Sequence, residues 1–132
     1  MFINMDLGGV KEAKPVPAGR YDLTIASAEE HTSKDSGGKS VKISIGIDGH
    51  DDSPNIMHFM APPKAGDDPT KANFKTLMIK RFLKQFGVIY NENEGFNVED
   101  LPGCTAKAQV TLSEPDDNGN VYNRIQLDRL KD

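Results

Sequence analysis

The chain has 132 residues, enough for one domain with a core of its own. A formal net charge of −4 excludes attraction of the whole molecule to nucleic acid, and a single cysteine, Cys104, excludes an intrachain disulfide. No apolar run reaches the length of a membrane span, and MFINMDLGGV lacks the charged start and apolar stretch of a secretion signal, so a cytoplasmic protein is expected.

Residues 1–18 are expected to form a flexible arm, with Gly8-Gly9, Pro15 and Pro17, ahead of a single domain over 19–132. RYDLTIASAEE alternates, with Tyr21, Leu23 and Ile25 on one side. HTSKDSGGKS is a turn-rich loop. VKISIGID sets Val41, Ile43, Ile45 and Ile47 against Lys42, Ser44, Gly46 and Asp48, the pattern of a half-buried antiparallel strand. After the turn GHDDSPN, IMHFM reads as a short third strand. Its alternation sets Ile56, His58 and Met60 against Met57 and Phe59, and either set could face inward.

KANFKTLMIKRFLKQFG is the one clear helix. Asp68 is a cap with Pro69 at the first position, or Thr70 serves instead, and Gly87 is the stop. Phe74, Met78, Ile79, Phe82 and Phe86 form its apolar face, and Lys80, Arg81 and Lys84 lie opposite. VEDL is a candidate helical turn. CTAKAQVTL and NVYNRIQLDRL are two further strands, joined by SEPDDNGN with Asn118-Gly119 as its hairpin turn. Charge falls in blocks: one Lys and five Asp over 48–70, five Lys/Arg and no acid over 71–86, four acids and no base over 87–102. A local basic patch is therefore possible on an acidic protein, although a solvated helix between acidic loops explains the same pattern.

Five short antiparallel strands with one helix between the third and fourth are the elements of an OB-fold. In that mainly-β barrel, one face of strands 2 and 3 stays open to extended ligands between two loops. Element order alone does not separate it from other small α+β sheets.

No enzyme signature is present. His31, His50 and His58 fall in separate segments without metal-ligand spacing. Cys104 follows Pro102-Gly103 and reads as a small buried filler rather than a nucleophile. DDNGN has its glycine misplaced for a calcium loop, DSGGK lacks the spacing of a phosphate loop, and GHDD is an ordinary acidic turn. No cofactor or metal is implied.

What remains is surface suited to binding. Single-stranded nucleic acid needs cations along its phosphates and flat side chains under its bases, each stack worth about 1–3 kcal/mol. The candidates are Lys34 and Lys39 in the first loop, Lys42 on strand 2, Phe59 on strand 3, Lys107 on strand 4, and Tyr122 with Arg124 on strand 5. Each has a plain alternative. Lysines decorate any soluble sheet, Phe59 could be core, and a tyrosine and arginine two apart often pack across a strand. It is as a set on one barrel that they point to binding.

PVPAGRYDLTI, the Gly-Gly loop before an alternating strand, FKTLMIKRFLKQFG, DLPGCTAKAQVTL and NGNVYNRI, in that order, resemble the small OB-fold single-stranded-DNA-binding proteins of bacteriophages. The resemblance covers about residues 15–130. Pro17, Gly19 and Tyr21 together with the Tyr-Asn-Arg strand carry most of it. It implies sequence-independent, non-catalytic binding of single strands in phage replication, recombination or repair, with Lys42, Phe59, Lys107, Tyr122 and Arg124 as the site. It also implies replication or recombination proteins, and further copies of the chain, as partners. In such proteins an acidic tail often recruits other enzymes; this chain ends LDRLKD, and with no Trp, three Tyr and six Phe its aromatic supply is small. Two rivals use the same sequence: a protein-interaction or virion module, marked by an exposed apolar patch, and a metal-dependent nuclease built on Asp48, His50, Asp51 and Asp52.

Overall fold

In a computed structural model that describes residues 1–10, 12–32 and 38–130, the alternating segments become five strands. The order is β1 (Gly19–Thr32), β2 (Lys39–Ile47), β3 (Ile56–Met60), α1 (Pro69–Gln85), a 3-10 turn (Val98–Asp100), β4 (Thr105–Leu112) and β5 (Asn123–Gln126). All ladders are antiparallel and the sheet order is β3-β2-β1-β4-β5.

β1 makes the curl. Its first half, Gly19 to Thr24, pairs with β4, and from Leu23 onward it pairs with β2, with a register shift between Ile25 and Ser27. An extra residue in one strand bends it and increases its twist. The bend brings the two edge strands, β3 and β5, against each other. The result is the nearly closed, mainly-β barrel of the OB-fold type, with its helix between strands 3 and 4.

The inward residues follow from period-two alternation. Leu23, Ile25, Val41, Ile43, Ile45, Ile47, Ile56, Met60, Ala108 and Val110 are buried, while Lys42, Ser44 and Gly46 between them are not. Burying each large apolar side chain contributes about 1.5–3 kcal/mol relative to exposure. β3 resolves its ambiguity here: Ile56 and Met60 are buried, so Met57 and Phe59 point outward.

α1 begins as expected. The Asp68 carboxylate accepts from Lys71 N at 2.7 Å, with Pro69 at the first turn, and the chain leaves at Gly87 with φ +64°. Only its second half covers the barrel. Phe82, Leu83 and Phe86 are buried, and the rings of Phe82 and Phe86 stack at 4.5 Å. Phe74 corrects the expected apolar face: two turns upstream of Phe82 it is exposed, because the helix has passed beyond the barrel. There Asp67 holds the chain instead, accepting from Lys64 N at 3.0 Å and pairing with Lys75 at 2.8 Å.

Two boundaries differ from expectation. Val16 is buried in the core, so the folded domain begins before residue 19. The last strand is shorter than NVYNRIQLDRL. Past Gln126 the Asp128 amide donates to Gln85 Oε1 at 2.8 Å and its carboxylate pairs with Arg20 at 3.0 Å, so side chains replace the ladder. No helix among the described residues is long and apolar enough to cross a membrane.

Candidate functional site

Barrel closure creates a cleft of about 490 Å³ where β3 meets β5. β3 contributes Met57, His58 and Phe59; the chain around β5 contributes Tyr122, Arg124 and Ile125. Pro15, Pro54 and Asn55 lie on its rim, with Val121 and Asn123 on either side of Tyr122. Phe59 and Tyr122 are 59% and 55% exposed, an unusual state for two rings in one depression. Arg124 stands on the same outward face of β5, opposite Thr111 in the ladder, and forms no ion pair among the described residues.

Tyr122 is held by its own loop. The Asp116 carboxylate accepts from the amides of Asn120 and Asn118, both at 2.9 Å, and from the Tyr122 hydroxyl at 3.1 Å. The backbones of Tyr122 and Ser113 are joined by Ser113 N to Tyr122 O at 2.8 Å, and Tyr122 N donates to Ser113 Oγ at 2.9 Å. The Asn120 amide first, then Asn118 and the tyrosine hydroxyl, keep the Asp116 carboxyl below its ordinary range. One acid of this loop is therefore a structural brace beside the cleft.

Beneath the rim lies His58. It stacks on Phe82 with ring centroids 4.9 Å apart and planes 10° from parallel, and burial pushes its pKa down. The imidazole thus links the cleft floor to the core as a neutral flat group.

The seven expected residues do not all converge. Phe59, Tyr122 and Arg124 share the cleft. Lys42 sits next to Phe59 in the β2–β3 ladder, with Glu29 of β1 on its other side. Lys39 lies three residues before it, opposite Thr32 at the strand's start. Lys107 stands apart: on β4 it is registered with Asp22 of β1, whose carboxylate is 3.9 Å from its ammonium. Lys34 lies outside the described residues.

Met57 and Asn123 are the members that the sequence reading missed. Met57 follows from parity once Phe59 is outward. Asn123 was signalled by its place on an apolar strand face, where a buried amide needs partners. It finds them in Val16, which fixes Pro15 at the cleft rim. Two residues of the nuclease alternative have other partners. Asp48 accepts from Thr24 Oγ1 at 2.9 Å and His50 meets the Tyr21 ring edge-on at 5.3 Å. Among the described residues, no three His, Cys, Asp or Glu side chains are placed to hold a metal ion. Cys104 is half-buried and donates to Asp100 O at 3.3 Å.

Among curated proteins there is no significant match to this chain. The model of one family, described as "Protein of unknown function (DUF669)", matches residues 3–132, and the chain belongs to that family.

Proposed function

We propose that the protein binds single-stranded DNA without sequence preference and without catalysis. The observation that carries this reading is the meeting of Phe59 on β3 with Arg124 on β5, and Tyr122 just before β5, in one open cleft. Bases stack on the two rings, each stack worth about 1–3 kcal/mol, and Arg124 and Lys42 take phosphates. Lys39 and the loop that carries Lys34 extend the track. Lys107, beside Asp22 on the β1–β4 side, is left out of that set. The duplex is rejected because its bases, stacked on one another, offer no free face to the rings. The resemblance to phage single-stranded-DNA-binding proteins supports a role in phage replication, recombination or repair in the host cytoplasm, alongside replication or recombination proteins.

Fluorescence anisotropy of labelled oligo-dT, titrated at low and at physiological salt with duplex as competitor, tests the proposal. Binding that weakens with salt and resists duplex is the expected result. No binding at low salt overturns it and leaves the second reading, a protein-interaction or virion module. The exposure of Met57 beside Phe59 favours that alternative.

A further inference from the structure

Exposed apolar side chains on this protein are concentrated in two places. Met57, Phe59 and Tyr122 line the β3–β5 cleft. Met1, Phe2, Ile3, Met5, Leu7 and Val10 form the other group, each exposed from 62% for Met5 upward. Phe74, Ile89 and Leu112 are scattered singly, which is ordinary. Clustered apolar exposure marks a surface that is covered by something.

The two groups are joined by the chain itself. Asp6 accepts from Gly8 N at 2.9 Å in a turn at Gly8-Gly9; Gly9 and Glu12 to Lys14 then line a pocket with His50, Asp52 and Ser53, and the chain passes Pro15, on the cleft rim, to the buried Val16. Among the described residues, none before Pro15 lines the cleft of its own chain. Extended, the eight residues before Gly9 span at most about 26–29 Å, enough to reach a neighbouring molecule. Charge also agrees. Asp6 is the single charged side chain in residues 1–10, and the cleft presents Arg124. A cleft of about 490 Å³ is the size that takes a few large side chains with one polar contact to orient them.

We infer that residues 1–7 of one copy dock in the β3–β5 cleft of a second copy, with Phe2, Ile3 and Met5 against Met57, Phe59 and Tyr122 and Asp6 toward Arg124. Given in both directions, the exchange closes a twofold pair. A consequence resting on the DNA-binding reading is that arm and strand compete for one cleft, so the pair is the DNA-free form and a single strand opens it.

Sedimentation velocity of the full chain over a range of concentrations tests the pairing directly. Two variants serve: an arm variant, Phe2→Asp with Ile3→Asp and Leu7→Asp, and a cleft variant, Phe59→Asp. All four positions are exposed, so both are expected to fold, which circular dichroism checks. The wild type is expected to dimerise and each variant alone to be monomeric. An equimolar mixture is expected to form heterodimers weaker than the wild-type pair, because one supplies an intact cleft and the other an intact arm, which leaves one of the two contacts. A wild type that stays monomeric, or an arm or cleft variant that associates like the wild type, overturns the inference. Oligo-dT then separates the two claims. Dissociation of the wild-type pair by oligo-dT, with several-fold tighter binding by the arm variant, supports competition. Oligo-dT bound without change in association overturns competition. Oligo-dT bound by none of the proteins defeats the DNA reading while the pairing result stands.

Discussion

The side-chain amide of Asn123 and the backbone of Val16 form a two-way pair: Oδ1 accepts from Val16 N and Nδ2 donates to Val16 O, each at 2.9 Å. Nδ2 also donates to Thr111 O at 3.3 Å. A side chain here imitates a strand ladder. It ties the segment before β1 to β5 and sets Pro15 beside the cleft.

Both partners are buried, so removing the amide strands polar groups away from water. Asn123→Ala leaves the Val16 N–H and C=O unpaired and is expected to cost about 2–3 kcal/mol. Urea denaturation reads this as a lower midpoint at unchanged slope. An unchanged midpoint would show that the clamp contributes nothing.

Tyr122→Ala with Arg124→Ala is expected to weaken oligo-dT binding at least tenfold, from one lost stack and one lost phosphate contact. The dependence of log affinity on log salt should flatten by about one phosphate's worth. Lys80→Ala with Lys84→Ala removes the same number of side chains from α1, where Lys80 already pairs with Glu92 at 3.2 Å, and should change affinity little. Equal affinity in a folded Tyr122/Arg124 variant removes the platform from the model.

The helix tests the packing argument. Phe82 is fully buried between His58 and Phe86, and Phe82→Ala is expected to cost about 3–5 kcal/mol. Phe74, on the same helix but exposed, should tolerate alanine within about 0.5 kcal/mol. Similar thermal shifts for the two would mean that the first half of α1 is covered after all.

His58 sets a pH dependence. Burial lowers its pKa in the folded state, whereas the unfolded imidazole takes a proton near 6.5. Between those two values the unfolded chain binds more protons, so stability is full above about pH 6.5 and falls as pH drops toward the folded value. His58→Leu should flatten this slope between pH 7.5 and 5, followed by urea midpoints. Asp67 and Asp116, whose carboxyls lie below their ordinary 3.8, keep their contribution above that value and lose it as pH falls below it. An undiminished slope in His58→Leu would assign the effect elsewhere.

Local chemistry made much of this molecule readable. Alternation in VKISIGID marks which side chains face the core because successive strand residues point to opposite faces, and Asp68-Pro69 marks where the helix starts because its orphan N–H groups need an acceptor. The outward face of β5, with Tyr122 and Arg124, was readable for the same reason. Three things depended on the closed barrel. Phe59 has the same alternation whichever way β3 faces, and only the burial of Ile56 and Met60 against the core chose its side. Phe74 carries the helical period of Phe82, yet the period does not say where the barrel ends beneath it. And the cleft joins β3 to β5, strands far apart in the chain, because a bulge in β1 bends the sheet until its edges meet. Periodicity is a property of neighbours along the chain; a site built across a seam is set by how the whole sheet closes.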